Sequence, residues 1–217
     1  MVVKSTYAYS MIKEKILSGQ LPPKSDINEK DLQEELGTSR TPVHEAILKL
    51  KEEGFVETFP RKGTFVTDVS MELVREIYEA RLLIEPKLTR DAVKLVSHDW
   101  LEDIRARLII EKPFETKDDI LAVMALDTEL HATVAQSCSN RFIRDSLALV
   151  YDQDRRIRLK TERNPQQVRF SQREHVVLID AMLAGDEEKT EVLSRAHIIN
   201  SRDFTYQSLG FITTSIL

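Results

Sequence analysis

Asp127 and His131 stand four positions apart in the chain, a spacing that projects both side chains from one side of a helix. Ile120, Met124 and Val134 fall on the same stripe, so the two polar residues interrupt an apolar face. His175 shares a helical face with Val168, Leu178 and Met182, and His197 shares one with Leu193, Asn200 and Phe204. The pattern therefore predicts three inward histidines and one inward carboxylate. Burying such groups is costly unless they are paired or bind a cation. Three imidazoles and a carboxylate suit a divalent ion such as Zn²⁺, Ni²⁺ or Mn²⁺. Core histidines satisfied by their neighbours, and a plain Asp-x3-His hydrogen-bonded pair, also fit the spacing.

A second set lies near the start of the chain. Ser39, Arg40, Thr41 and His44 precede and open a helix whose apolar face is Val43, Ala46, Ile47 and Leu50. The spacing i, i+3, i+4, i+7 marks an amphipathic helix. Thr41-Pro42 reads as its opening, with proline at the first position, where a missing N–H costs nothing. In a helix-turn-helix the second helix enters the major groove and its first residues reach base edges. Arg40 suits a bidentate contact with guanine, and Ser39 and Thr41 suit phosphates. Lys30, Arg61 and Lys62 can neutralise backbone charge or probe the minor groove. Taken singly, each of these cations also reads as a solvated surface charge.

The elements that must position these groups are legible from period and punctuation. Tyr9, Ile12 and Ile16 mark a first helix ending at Gly19, and Asn28 can cap a second over Glu29 to Leu36, stopped by Gly37. The third helix ends at Gly54. Phe55 to Phe59 and Thr64 to Thr67, around Pro60-Arg61-Lys62-Gly63, read as a β-hairpin. Three helices and a hairpin make a winged helix-turn-helix over residues 1–69. From residue 70 the pattern is helical, with helices expected over 71–95 (kinked at Pro86), 98–110, 117–138, 141–161, 166–184 and 187–207. Asn140 and Asp186 are N-cap candidates, and the stretch from Gly210 to Leu217 reads as a loose tail. The expected fold is mainly α, a winged helix-turn-helix followed by an all-α bundle over 70–217.

Composition limits the function classes without choosing among them. No apolar run approaches the ~20 residues of a membrane span, and the N-terminal segment lacks the pattern of a secretory signal. A lone Cys138 excludes an internal disulfide and fits the reducing cytoplasm. The net charge of −5 gives DNA binding no support by itself. Residues 1–69 carry ten Lys/Arg against eleven Asp/Glu, so the argument rests on where the cations sit.

The stretch LQEELGTSRTPVHEAILKLKEEGFVETFPRKGTFV, from Leu32 to Val66, resembles the GntR family of bacterial regulators. The resemblance is carried by S-R-T-P-V, by the Gly54-Phe55-Val56 element and by the wing glycine. It implies a regulator that binds a short palindromic operator in double-stranded DNA as a homodimer. It places Lys30, Arg40 and His44 on DNA-contacting positions and Gly63 at the wing tip. The family usually has a second arginine where this chain has His44, which puts the usual half-site in question.

The chain from residue 70 resembles the FCD ligand domain of the FadR branch of that family. The matching elements are E-A-R-x3-E at Glu79 to Glu85, D-x3-H at Asp127 to His131, Asn140, E-H at Glu174-His175, and A-G-D at Ala184 to Asp186. The resemblance implies that Asp127, His131, His175 and His197 hold a divalent metal at the floor of an effector pocket, where a small carboxylate reaches the ion. Arg81 is then a charge partner for the effector, or alternatively an ion-pair partner of a nearby glutamate. Asn140 is an effector contact or only a helix cap. The expected function is cytoplasmic, metabolite-controlled regulation, as a repressor. A direct metal sensor and a metal-dependent hydrolase are the alternatives; no general acid or base, nucleophile elbow or phosphate loop supports an enzyme.

Overall fold

A computed structural model describes residues 2–110, 112–161 and 164–210. Among the described residues there are nine helices and one two-stranded sheet, ordered α1 (Val2–Ser18), α2 (Glu29–Glu35), α3 (Arg40–Glu52), β1 (Val56–Phe59), β2 (Gly63–Val66), α4 (Met71–Ala92), α5 (His98–Leu108), α6 (Lys117–Ser137), α7 (Arg141–Lys160), α8 (Pro165–Leu183) and α9 (Glu187–Ser208). The architecture is the expected one, a winged helix-turn-helix and a helical bundle. The chain separates into two compact units, Met1–Ser70 with Arg155–Lys160, and Met71–Asp154 with the chain from Thr161 onward. The last six residues of α7 thus group with the N-terminal unit, which helix periodicity does not foretell. The expected tail beyond Gly210 lies outside the described residues.

In the first unit, Ile12 and Ile16 of α1 and Val43, Ala46, Ile47 and Leu50 of α3 are buried. Asn28 caps α2, its side chain accepting from the N–H groups of Lys30 and Asp31. The third helix begins two residues earlier than expected, with Ser39 as N-cap, so Pro42 is its third residue rather than its first. The proline is still tolerated, because the first-turn N–H groups have no intrahelical acceptor. Strands β1 and β2 pair antiparallel, with Val56 opposite Val66 and Phe59 opposite Gly63. Between them, Lys62 N–H donates to the Phe59 carbonyl. Arg61 sits in the left-handed region at φ 64°, a position that a turn of this kind normally gives to glycine or asparagine.

In the second unit, Leu88 and Ala92 of α4, Leu101, Ile104 and Leu108 of α5, Leu130 and Val134 of α6, Leu147 of α7, and Ile179 and Met182 of α8 form one buried cluster. Helix α4 runs through Pro86 as one element and ends at Ala92, short of the expected boundary. A proline cannot bond the carbonyl four residues back, here that of Leu82. The Arg195 guanidinium of α9 donates to that oxygen at 3.4 Å. Thr116 and Asp119 close a capping box at the start of α6, and Asp186 caps α9.

Candidate functional site

Helices α6, α8 and α9 bring the four inward polar residues together. Asp127, His131, His175 and His197 each offer a donor atom, and these atoms all lie within 4.8 Å of one another. His175 and His197 place their Nε2 atoms 3.3 Å apart. One Asp127 carboxylate oxygen is 3.5 Å from His175 Nε2 and 3.9 Å from His131 Nε2. The group is sheltered: Asp127 is 8% exposed, His175 1% and His197 5%.

The surroundings fix how the rings are turned. Glu174 Oε2 lies 2.9 Å from His197 Nδ1, and Asn200 Nδ2 donates to Glu174 Oε1 at 2.6 Å. Glu85 Oε2 lies 3.3 Å from His131 Nδ1. His131 Nε2, on the inner side, is buried with no hydrogen-bond partner among the described residues. An orphaned imidazole nitrogen in a closed polar site is costly unless something else fills its lone pair. Beside these rings the Arg81 guanidinium pairs with the carboxylates of Glu85 and Asp154. A nitrogen-rich donor set completed by a carboxylate oxygen fits a divalent cation of the Zn²⁺, Ni²⁺ or Mn²⁺ kind.

Arg81 makes the contacts of the ion-pair alternative. It is 1% exposed, its Nε donates to Glu85 Oε1 at 2.6 Å and its Nη1 to Asp154 Oδ1 at 3.1 Å. Two buried carboxylates thus hold the guanidinium, which is the contact that the ion-pair alternative describes. Burial would raise the Glu85 carboxyl, but the Arg81 guanidinium and His131 hold it at about 2. Burial likewise works against the charge on Arg81, and Asp154 and Glu85 keep its pKa well above the ordinary value. Asn140 immediately precedes α7. It is exposed, and its side chain accepts from Phe142 N–H at 3.0 Å, which is the capping alternative.

Sequence spacing gave Glu174 and Glu85 no part in orienting the histidines and overlooked Asp154 altogether. Glu85 follows Arg81 by one helical turn, a signal for their pairing. Glu174 adjoins His175 in sequence yet serves His197 on another helix, which no local pattern reveals. Asp154 comes from α7 and carries no local signal.

The DNA-facing candidates are all at the surface: Lys30, Ser39, Arg40, Thr41, His44, Arg61, Lys62 and Gly63 are exposed. His44 Nδ1 is 3.5 Å from a Glu29 carboxylate oxygen of α2. At the wing, a Cβ on Gly63 (φ +120°) would stand 3.2 Å from Asp26 Oδ1, so both backbone and space favour glycine there. A cavity of about 300 Å³ beside the wing is lined by Lys24, Glu57, Phe59, Lys62 and Phe65. No helix among the described residues is long and apolar enough to cross a membrane.

Residues 76–200 match the family described as the FCD domain, and residues 4–66 match "Bacterial regulatory proteins, gntR family". An uncharacterized HTH-type transcriptional regulator of Agrobacterium vitis is 38% identical over 78 residues, 36% of this chain and 46% of that protein. The chain thus spans less than half of that relative. The solved structure of E. coli McbR/YncC superposes with a TM-score of 0.80 at 19% identity, covering 96% of this chain and all of that one. The FCD domain of TM0439, solved with Zn²⁺ bound, gives a TM-score of 0.52 at 23% identity over 65% of this chain and 98% of that domain. A metal-free form of the same domain gives 0.53.

Proposed function

Since the chain belongs to the GntR family and carries an FCD domain, we propose that it is a cytoplasmic transcriptional repressor that binds operator DNA as a homodimer and is controlled through a divalent metal. Asp127, His131, His175 and His197 hold the ion, which is Zn²⁺, Ni²⁺ or Mn²⁺. The carrying observation is the convergence of four sheltered donors from three helices, one of them a buried nitrogen with no other partner among the described residues. Zn²⁺ bound to the FCD domain of TM0439 supports the same reading. When bound, the ion offers an electrophilic position for a small carboxylate effector. Because Arg81 is engaged elsewhere, the effector's charge is met by the ion itself.

On the DNA side, α3 lies in the major groove with Arg40 at base edges and Ser39 and Thr41 at phosphates. His44, one turn along, reads the groove beside Arg40. Lys30, Arg61 and Lys62 meet the backbone or minor groove. The families and relatives matched are regulators, and the four-donor site has no general acid or base assigned beside it, so a hydrolase is not proposed.

The close shelter of the four donors favours one second reading, in which the metal itself is the signal. A single experiment separates the two. Operator binding is measured with metal-loaded and metal-stripped protein, with and without a panel of small organic acids. Release of DNA by an acid only from loaded protein supports metabolite control. A change on metal loading alone, with every acid inert, supports metal sensing. Acids acting equally on loaded and stripped protein sink the metal-centred mechanism.

A further inference from the structure

We propose that Glu85 and Glu174 are the positioning residues of this centre: each accepts a hydrogen bond from the Nδ1–H of one histidine, so that the Nε2 lone pairs of His131 and His197 point inward. The proposal rests on the metal reading above. A neutral imidazole carries one N–H, and the partner of one ring nitrogen decides which nitrogen remains free to ligate. His197 Nδ1 meets Glu174 at 2.9 Å, and His131 Nδ1 meets Glu85 at 3.3 Å. A carboxylate accepts only, so it leaves the proton on Nδ1.

Neither glutamate is itself a free ligand. Both oxygens of Glu174 are used, one by His197 and the other by Asn200 at 2.6 Å. Both oxygens of Glu85 face the Arg81 fork, with Nη2 at 3.4 Å from the oxygen that also meets His131. Each carboxylate is therefore anchored from behind, Glu85 by Arg81 within α4 and Glu174 by Asn200 of α9. The two supports arise on different helices and reach different rings, and each leaves the Nε2 of its histidine to the shared cluster. Arg81 and Asn200 act through these glutamates rather than on the ion.

The test uses the full chain and Zn²⁺ as probe, in competition with a chromogenic chelator. Glu174→Ala should weaken Zn²⁺ binding by about 10–100-fold, and Glu174→Gln, which keeps an acceptor oxygen, should recover part of it. Asn200→Ala should give a smaller loss of the same kind. Melting temperatures of the metal-free proteins should stay close to wild type. Nitrogen NMR of histidine-labelled, metal-free protein adds a readout that packing alone would not move: the Nδ1–H form of His197 in wild type and a mixture of forms in Glu174→Ala. Should Glu174→Ala fail to fold, the Gln and Asn200 variants carry the same comparison. Wild type that binds one Zn²⁺ while all three variants bind it equally well overturns the positioning role and leaves the metal reading intact. Wild type that takes up no stoichiometric metal overturns both.

Discussion

His175 and His197 face each other through their Nε2 atoms at 3.3 Å, although they sit on different helices. In the tautomer proposed above, with the His197 Nδ1–H on Glu174, the His197 Nε2 accepts and His175 donates across the gap in the metal-free protein. His175 and His197 would both serve as ligands of a bound ion, and metal binding would then become part of the stability of the bundle. A ligand that binds only the native state adds about 4 kcal/mol at a thousandfold excess over Kd. EDTA should therefore lower the melting temperature of metal-loaded wild type and leave that of His175→Ala unmoved. Equal sensitivity of both proteins to EDTA would show that the metal binds elsewhere.

Arg81 provides the sharpest separation between an effector contact and a structural pair. Removing one partner of a buried pair leaves uncompensated charge and costs about 3–5 kcal/mol. Arg81→Met takes the guanidinium away from Glu85 and Asp154, both 1% exposed or less, so its urea midpoint should fall by that equivalent. A direct effector contact predicts the opposite pattern, with unchanged stability and an abolished ligand response. Unchanged urea unfolding of Arg81→Met would overturn the structural assignment.

What the sequence made legible was what repeats locally. The Asp127–His131 spacing, the inward faces of His175 and His197, and the Asn28 and Asp186 caps all follow from helical period and capping chemistry. What it hid depends on contacts between distant segments. The Leu82 carbonyl freed by Pro86 finds Arg195 on α9, which helps α4 continue through the proline. Arg81 finds Asp154, 73 positions away, a pairing that no helical period announces. The exact opening of α3 was hidden for a different reason: any first-turn position tolerates proline, so Pro42 marks the start of the helix without fixing its register.

The capping box of α6 sets an acid limit on the helix that carries Asp127 and His131. Bonds from the Thr116 backbone and hydroxyl lower the Asp119 pKa from its ordinary 3.8. A carboxylate with a depressed pKa contributes stability above its unfolded value, and that contribution fades as pH falls through the folded one. The first turn of α6 should thus be protected at about pH 5 and fray below pH 3.8. Amide exchange at the start of α6 should accelerate over that window in wild type and show no such step in Asp119→Asn. A pH-independent wild-type rate, once intrinsic exchange is corrected for, would contradict the box.

Arg40 and Lys62 should fail in different ways. Arg40→Ala, which removes a bidentate base contact, should cost about 1–3 kcal/mol on operator and relax preference at one position. Lys62→Ala should weaken all sequences alike and reduce the salt slope by about one phosphate. Equal losses on operator and random DNA in both variants would remove Arg40 from the base edge.

Arg61 occupies a wing position where its own side chain is unfavourable to the fold. At φ 64° a residue with a Cβ is held in the left-handed region at a cost of about 1–2 kcal/mol, and glycine would avoid it while adding chain entropy to the unfolded state. The two effects oppose each other, so Arg61→Gly should leave stability equal or slightly higher. Backbone strain concentrates at functional sites, which agrees with the proposed DNA contact of this exposed cation. Without this cation to neutralise a phosphate, Arg61→Gly should bind operator and random DNA more weakly, with a salt slope shallower by about one unit. Chemical denaturation and salt-dependent DNA titration on the same samples check both halves. A variant that is less stable but keeps its salt slope would make Arg61 a turn residue and nothing more.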